Sequence, residues 1–317
     1  MSKLKIAITT GDINGIGFEV AAKALSKLGP QKSVQFLLWR SEQSEIKYLK
    51  LIDKKFERIT VESLDEALKI DGPYLIDICS DDSPAHWVEQ TAKACLTKKL
   101  SGMATGPLSK TSIHAAGFKD LGHTDILKRI SKTKTVNMGF AGEKFNVVLT
   151  TGHIPISEVP KKLGFKTLAE ALVNANTLRQ SLDGLQKNKP IGVLGLNPHA
   201  GEQGLIGTEE QVLFKNLTAF AKEKNIPIEG PLVPDAAFFP QNWKRYSVYL
   251  ALYHDQGLIP FKMIHGQDSG VHISLGIPFV RTSVDHGTAF DIFGKNKANP
   301  ASMTEAIEWA IKLARQI

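Results

Sequence analysis

Short apolar runs alternate along the chain with amphipathic stretches of helical length. The runs are rich in Val, Ile, Leu and Phe, a composition typical of strands buried on both faces of a sheet. They comprise Lys5 to Thr9, Val34 to Trp39, Tyr74 to Ile78, Phe145 to Thr150, Ile191 to Leu196 and Val248 to Tyr253. Three of the intervening stretches contain residues spaced like capping boxes, namely Thr167 with Glu170, Thr208 with Gln211, and Ser302 with Glu305. The alternation predicts an α/β/α architecture with a mainly parallel sheet, whose ligand sites lie beyond the carboxyl ends of the strands.

Composition excludes some classes of function. The chain has 317 residues and a formal net charge of +7, a length that suggests about two domains. Its positive residues are scattered in ones and twos, whereas a nucleic-acid surface needs clustered charge. We therefore expect solvated lysines, no nucleic-acid partner and a mild preference for small anions.

Cysteine usage and the N-terminal sequence indicate a cellular location. Cys79 and Cys95 are the two cysteines. Cys79 lies in an apolar strand-like run and Cys95 in a helix-like run, which predicts reduced, buried thiols rather than a disulfide framework. The N-terminus runs straight into the first predicted strand, and no apolar stretch approaches the ~18 residues of a membrane span. We expect a cytoplasmic protein with no membrane partner.

Three apolar runs each end in a histidine, at His153, His199 and His254. If these strands are parallel, their carboxyl ends share one edge of a sheet, and the imidazoles could converge there. Three nitrogen ligands with an open position are typical of a catalytic divalent metal site. Alternatively, each histidine is a packed or hydrogen-bonded loop residue. Glu202 and Asp255 could orient the imidazoles of their neighbours or cap the next helices.

Several loops and charges could hold an anion. The glycines from Gly11 to Gly17 lack Rossmann and P-loop spacing, so a tight strand-to-helix turn is the simpler interpretation. A loop from Ala104 to Lys110 follows another strand, and His123 opens a helix-like segment in which Thr124 and Asp125 are also plausible caps. Lys262 and Arg281 stand in apolar segments and supply the charge that a phosphate or carboxylate needs, although surface snorkelling would also explain them.

Six ordered motifs resemble one enzyme family. They are Met103-Ala-Thr-Gly-Pro-Leu-Ser-Lys110, Gly122-His-Thr-Asp125, Asn197-Pro-His-Ala-Gly-Glu202, Gly230-Pro-Leu-Val-Pro-Asp235, Tyr253-His-Asp-Gln-Gly257 and Arg281-Thr-Ser-Val-Asp-His-Gly287. Together they resemble the 4-hydroxythreonine-4-phosphate dehydrogenase family of pyridoxal-phosphate biosynthesis, from Gly11 to the final helix.

The resemblance implies a fold and an assembly. The fold would be isocitrate/isopropylmalate-dehydrogenase-like, with two α/β/α domains and a cleft between them. We expect residues 1–130 and 276–317 in the first domain, and residues 131–275, with the metal histidines, in the second. The protein would be a homodimer with its active site at the subunit interface.

The resemblance also implies a cofactor, a metal and their ligands. NAD, or else NADP, would accept the hydride, and one divalent ion (zinc, cobalt or magnesium) would assist. The family pattern assigns the ion to His153, His199 and His254. It assigns the substrate to His123, Thr124, Lys262, Arg281 and the position of His272, and the general base stays unassigned.

The chain departs from the family pattern at three positions. Thr10 replaces a frequent proline, Gly152 replaces a frequent hydroxyl residue, and His272 replaces the usual substrate-binding asparagine. Of these, His272 matters most, because a histidine is bulkier than the amide and can carry charge. Substrate preference within the family is therefore open.

The implied reaction is oxidation of 4-phosphooxy-L-threonine to a β-keto acid that decarboxylates to 3-amino-2-oxopropyl phosphate. One alternative is a dehydrogenase of a related phosphorylated sugar acid, such as 4-phosphothreonate or 4-phosphoerythronate. Alternatives of other classes are a three-histidine metallohydrolase and a non-catalytic phosphate-binding module.

Overall fold

The computed structural model describes residues 3–266 and 269–317. The strands in this part of the chain are β1 Leu4–Thr9, β2 Val34–Arg40, β3 Arg58–Val61, β4 Leu75–Cys79, β5 Gly102–Thr105, β6 Asn137–Ala141, β7 Val147–Leu149, β8 Ile191–Leu194, β9 Ile228–Leu232, β10 Val248–Ala251, β11 Val271–Leu275 and β12 Arg281–Val284. The six strands predicted from the apolar runs are all present, as β1, β2, β4, β7, β8 and β10. Their ends lie within two residues of the predicted ones.

The α-helices of the described residues fall mainly between the strands. They are α1 Gly17–Leu28, α2 Ile46–Asp53, α3 Leu64–Ala67, α4 Pro84–Leu96, α5 Lys110–Ala115, α6 His123–Ser131, α7 Val159–Lys162, α8 Phe165–Gln180, α9 Glu209–Glu223, α10 Pro234–Ala237, α11 His254–His265 and α12 Ala301–Ala314. Short 3₁₀ segments occupy Ile156–Glu158, Gln186–Asn188, Pro198–Gly204, Pro240–Asn242 and Phe290–Ile292. None of the helices in the described ranges is long and apolar enough to cross a membrane.

The three predicted capping boxes are wrong. Thr167 lies inside α8, which begins after Gly164, and Thr208 precedes α9 without a side-chain cap. Ser302 lies inside α12, where its hydroxyl donates to the carbonyl of Gly270. The spacing is present, but the polar side chain of Ser302 is used for a tertiary contact instead of a cap.

The chain divides into two compact units. The first comprises Met1–Val136 and Gln267–Ile317, and the second comprises Asn137–Gly266. The sequence-based division falls at 130/131 and 275/276, which differs because composition gives no linker from which to place a boundary.

The sheet of the first unit has the strand order β3-β4-β2-β1-β5-β12-β11. Its neighbours are parallel from β3 to β12, and β11 runs antiparallel to β12 with His272 opposite Ser283. The chain moves outward from β1 to β2 on one side and continues with β5 on the other. The carboxyl ends of β1 and β5 therefore form a topological switch point, where open α/β sheets bind ligands.

Helices cover both faces of this sheet. Ile6 and Ile8 of β1 pack in one core with helices α1 and α12, whereas Ala7 packs in a second core with Trp87 of α4. Successive residues of a strand point to opposite faces, so strands covered on both sides consist of apolar residues throughout. This is the reason that the apolar runs predicted the strands well.

The sheet of the second unit has the order β6-β7-β10-β8-β9. Strands β7, β10, β8 and β9 are parallel, and β6 is antiparallel to β7. Helix α11 contacts β7 and β10 through Phe261 and Leu258, in a core with Phe145 and Tyr249. Helix α8 packs across β6, β7, β8 and β10. In this arrangement the parallel strands β7, β8 and β10 all end on the same edge of the sheet.

Candidate active site

A polar cavity lies at the carboxyl ends of β5 and β12 in the first unit. It has a volume of about 370 Å³, and its lining includes Ser109, Lys110, His123, Arg281, Ser283 and His286. We call this cavity the Arg281 pocket. It occupies the side of the sheet at which the switch point predicts a ligand.

Two glycines allow the loops beside this pocket to pack closely. A Cβ at Gly17 would lie 1.6 Å from the carbonyl oxygen of Thr10, and one at Gly11 would lie 2.0 Å from that of Pro107. Both contacts are with backbone, so no larger residue fits without moving a loop. Asp12 then accepts a hydrogen bond from the Ser109 backbone N–H at 2.9 Å. The glycine loop is thus a tight turn that joins the ends of β1 and β5, in agreement with the simpler interpretation of its sequence.

Arg281 is buried in the wall of the pocket with neutral partners. The side chain is 3% exposed. Its Nη2 donates to Thr105 Oγ1 at 2.7 Å, and its Nη1 donates to Ser274 Oγ at 3.1 Å and to His272 Nδ1 at 2.9 Å. None of these partners is a carboxylate, and the buried Nε has no partner within the described part of the chain. Burial lowers the pKa of Arg281 to about 9. A buried cation of this kind is costly unless an anion joins it.

His123 is the first residue of α6 and lines the same pocket. Its Nε2 is buried and has no hydrogen-bond partner among the described residues. Burial, and secondarily the positive charge of Arg281, lowers the pKa of His123 to about 3. The imidazole is therefore neutral at physiological pH and can donate or accept one hydrogen bond to a ligand.

The remaining predicted substrate ligands lie in different surroundings. Thr124 is half-buried in the first turn of α6, and the carboxylate of Asp125 accepts from the Leu121 backbone N–H at 3.0 Å. The N-cap of α6 is Gly122, without a side-chain cap, so neither Thr124 nor Asp125 has the capping role that was considered for it. His272 is buried in β11 and contacts Arg281. Lys262 is exposed in the last turn of α11, so the apolar surroundings expected for it are not found.

In the second unit, two of the three predicted metal ligands lie together. The ring centroids of His153 and His254 are 5.0 Å apart, and both residues line a cavity of about 380 Å³. His254 Nδ1 lies 2.6 Å from a carboxylate oxygen of Asp255. That contact leaves Nε2 as the ring nitrogen for an ion, and carboxylates in this position orient metal-bound imidazoles.

His199 lies in an unusual left-handed turn after β8. His199, Ala200, Glu202 and Gln203 all have positive φ angles, between 44° and 55°, in the 3₁₀ segment Pro198–Gly204. Left-handed backbone costs roughly 1–2 kcal/mol for each non-glycine residue, and such strain is concentrated at functional sites. His199 Nδ1 lies 3.1 Å from the Glu202 carboxylate, so its Nε2 is again the nitrogen available to an ion.

A buried carboxylate holds the start of this turn. Glu210 Oε1 accepts from the backbone N–H groups of Leu196 and Asn197 at 2.8 and 2.7 Å, and Oε2 accepts from the Asn197 side chain at 3.0 Å. Burial alone would raise the pKa of Glu210, but the hydrogen bonds from Asn197 and Leu196 lower it overall. The carboxylate therefore stays ionised and fixes the turn.

The donor set fits a divalent ion in part. Two imidazoles are adjacent, and two of the three histidines have a carboxylate at Nδ1, which is the donor chemistry of a catalytic site. However, the described residues contain no group of three or more His, Cys, Asp or Glu side chains that could hold a metal ion. A single chain thus brings His153 and His254 together without His199, and the three-histidine site stays a prediction.

Sequence reasoning missed the residues that hold others in place. Thr105 and Ser274 are acceptors for Arg281, and Glu210 fixes the turn of His199. Thr105 belongs to the motif from Met103 to Lys110, and its place directly before Gly106 and Pro107 could have indicated a role in the site. Neither Ser274 nor Glu210 has a local pattern that distinguishes it, because each acts on a residue distant in sequence.

Solved structures of low sequence identity define the fold class. A β-decarboxylating dehydrogenase from Thermococcus kodakarensis has a similar fold, with a TM-score of 0.59 at 13% identity, covering 98% of this chain and 83% of the other. At that identity the likeness concerns the fold alone. The chain thus has an isocitrate/isopropylmalate-dehydrogenase-like α/β fold.

Closer relatives define the family. A family model described as pyridoxal phosphate biosynthetic protein PdxA matches residues 31–310. A 4-hydroxythreonine-4-phosphate dehydrogenase from a Sulfurihydrogenibium species is 38% identical, over 98% of this chain and 99% of its own length. The solved 4-hydroxythreonine-4-phosphate dehydrogenase from Klebsiella pneumoniae is 30% identical with a TM-score of 0.79, over 99% of this chain and 98% of the other. The chain belongs to the PdxA family, which confirms the resemblance seen in its motifs.

One relative has a different name. A D-threonate 4-phosphate dehydrogenase from Pectobacterium atrosepticum is 31% identical over 99% of this chain and all of its own length. Relatives of this chain thus include proteins named for two different phosphorylated substrates.

Proposed function

We propose that this protein oxidises 4-phosphooxy-L-threonine with NAD or NADP, and that the product decarboxylates to 3-amino-2-oxopropyl phosphate, a step of pyridoxine 5′-phosphate biosynthesis. The observation that carries the proposal is the Arg281 pocket, in which a buried guanidinium has only neutral partners among the residues that the structure describes. Membership of the PdxA family supports it, as do relatives named for this activity.

The pocket suits a phosphate. A guanidinium has five N–H donors, and three of those on Arg281 are used by Thr105, Ser274 and His272. The Nε–H and one N–H on Nη2 are left, enough for two oxygens of one phosphate. Neutral His123 would add a hydrogen bond, and Lys110 would add a second charge at the rim. Thr124 and Lys262 stay candidates for further contacts with the substrate.

The reaction removes a hydride from C3 and a proton from the hydroxyl group that C3 carries. The hydride goes to the nicotinamide and the hydroxyl proton goes to a base. The bond between C2 and the carboxylate then breaks with release of carbon dioxide, its electron pair forms an enolate, and C2 takes up a proton to give the product. His153, His199 and His254 would hold a divalent ion, His199 and His254 through Nε2, with Glu202 and Asp255 orienting those two rings. When bound, the ion would lower the pKa of the hydroxyl and stabilise oxyanion character in both steps.

We also propose a homodimer in the cytoplasm. On α11, Ile259 and Met263 are four residues apart on one face and are 64% and 78% exposed. Exposed apolar residues that share a face of a helix favour contact with another subunit. This helix begins at His254, so an interface there would bring a partner subunit to a predicted metal ligand. The free thiols Cys79 and Cys95 are compatible with a reducing compartment.

A substrate panel tests the proposal. Purified protein is assayed for reduction of NAD and of NADP with 4-phosphooxy-L-threonine, D-threonate 4-phosphate and D-erythronate 4-phosphate, each with zinc, cobalt or magnesium. We expect the highest kcat/KM with 4-phosphooxy-L-threonine. The second candidate is D-threonate 4-phosphate, favoured by the relative named for that substrate; the presence of His272 in place of the family's usual asparagine leaves this choice open. Release of phosphate without cofactor reduction would instead indicate a hydrolase, and binding without turnover would indicate a binding module.

A further inference from the structure

Four polar side chains share one face of the β11–β12 hairpin. His272 and Ser274 are alternate residues of β11, and Arg281 and Ser283 are alternate residues of β12. Alternate residues of a strand point to the same face, and His272 pairs directly with Ser283. On the other side of β12, Thr105 of β5 pairs with Ser283. The hairpin thus builds a polar patch around the guanidinium of Arg281.

The contact between His272 and Arg281 determines where the imidazole proton lies. Arg281 Nη1 lies 2.9 Å from His272 Nδ1, and a guanidinium can only donate hydrogen bonds. Nδ1 must therefore carry a lone pair, which places the ring proton on Nε2. The Ser283 hydroxyl lies 3.0 Å from the same nitrogen and shares it. The imidazole in this contact is neutral and acts as an acceptor.

We propose that His272 is a positioning residue that aims the guanidinium of Arg281 at the substrate phosphate through Nδ1. The inference rests on the proposed function, because that function supplies the phosphate. A carboxylate in the place of His272 would also hold the guanidinium, but it would neutralise the charge that attracts the anion. A neutral imidazole fixes the direction of the guanidinium and preserves its charge. It leaves the Nε–H and one Nη2–H of Arg281 for the phosphate.

Three substitutions of His272 separate this role from direct contact with the substrate. In His272→Asn, the side-chain oxygen can take the place of Nδ1, so the acceptor for Arg281 is kept. In His272→Gln, the amide reaches the place of Nε2, so the acceptor at Nδ1 is lost. In His272→Leu, both are lost. Ile273→Val changes the opposite face of β11, where Ile273 is buried, and is the matched control for disturbing this strand.

The readouts are KM and kcat for 4-phosphooxy-L-threonine, the inhibition constant of inorganic phosphate, and the thermal midpoint. We expect the His272→Asn variant to raise KM less than threefold. The His272→Gln and His272→Leu variants should raise KM by about 10- to 100-fold, which corresponds to the loss of one hydrogen bond to a charged group. The inhibition constant of phosphate should rise in parallel, and kcat should change less, because the anchor is used equally in the ground and transition states. Ser274→Ala, which removes another acceptor of Arg281, should also raise KM, and Ile273→Val should not.

Three outcomes would overturn the proposal. They are a KM near the wild-type value in His272→Gln but not in His272→Asn, equal KM values for His272→Asn and His272→Leu, or a lower kcat with unchanged KM. If the wild-type protein turned over no substrate of the panel, the proposed function would fail, and calorimetric titration with inorganic phosphate would decide the inference separately. Phosphate binding that is kept in His272→Asn and weakened at least tenfold in His272→Gln would support the proposed role of His272. Absence of phosphate binding to the wild type would overturn it. The comparison of Asn with Gln also decides the case if Leu does not fold.

Discussion

Arg281 Nη2 donates a hydrogen bond to Thr105 Oγ1 at 2.7 Å, and this contact joins the end of β12 to the end of β5. It fixes a buried positive charge beside a cavity with the size and lining of a small-anion site. The proposed activity therefore depends first on Arg281.

Arg281→Lys should reduce transition-state stabilisation by about 1–3 kcal/mol, because lysine keeps the charge but loses the planar fork. The loss, calculated from kcat/KM, should be greater for phosphorylated substrates than for their dephosphorylated counterparts. An equal loss for both kinds of substrate would make Arg281 a structural residue.

Acid pH should destabilise the substrate-free protein through His123. Its folded pKa of about 3 lies below the ordinary value of 6.5, so unfolding takes up a proton. The stabilising contribution is present above pH 6.5 and is lost as the pH falls from 6.5 towards 3. In ¹⁵N-histidine NMR spectra, the signal of His123 is identified as the one that is missing from the His123→Gln variant. In the wild type, this signal should show no protonation between pH 8 and 5. A titration centred near the ordinary value would contradict the buried, neutral imidazole.

Loss of the Glu210 carboxylate should destabilise the turn that carries His199. Glu210→Ala leaves the N–H groups of Leu196 and Asn197 without their acceptor, at a cost of about 1–3 kcal/mol in urea unfolding. Because the folded pKa of Glu210 is lowered, its contribution should be present above pH 4.5 and lost as the pH falls below that value. Glu223→Ala removes an exposed carboxylate at the other end of α9, away from the turn, and is the control. Equal stability of the two variants would mean that Glu210 does not hold the turn.

Substitution of His153, His199 and His254 by alanine should abolish binding of one divalent ion per chain. Metal content is measured after dialysis, and chelation of the wild type should stop turnover reversibly. Unchanged metal content and an unchanged rate in the triple variant would contradict the predicted metal site. Among single variants, loss of the ion in His199→Ala would indicate that a residue distant from the other two within the chain completes the site.

Dilution should inactivate the enzyme if the proposed dimer completes its site. Met263→Glu places a charge on the exposed apolar face of α11 and should shift sedimentation towards monomer. Val212→Glu on α9, another exposed apolar position, should not. A fully active monomer at assay concentration would contradict the proposal.

The sequence predicts the fold and the charged residues of the site better than it predicts the residues that hold those charges in place. Strands covered on both faces have an apolar signature, so β1 and β10 were found within two residues. In contrast, Ser302 and Glu305 have the spacing of a capping box, but the structure uses both to bind Gly270. Lys262 and Arg281 both lie in apolar segments of the sequence, but Arg281 is buried and Lys262 is exposed. Whether a charge in such a segment is covered depends on tertiary packing, which a local pattern does not contain.

The most direct test of the proposed function is the stoichiometry of the reaction with 4-phosphooxy-L-threonine. Reduced nicotinamide, carbon dioxide and organic phosphate product are measured in one reaction, and the product is identified by mass spectrometry. We expect one reduced cofactor and one carbon dioxide for each molecule of 3-amino-2-oxopropyl phosphate formed. Release of inorganic phosphate without cofactor reduction, or cofactor reduction only with D-threonate 4-phosphate, would contradict the proposed function.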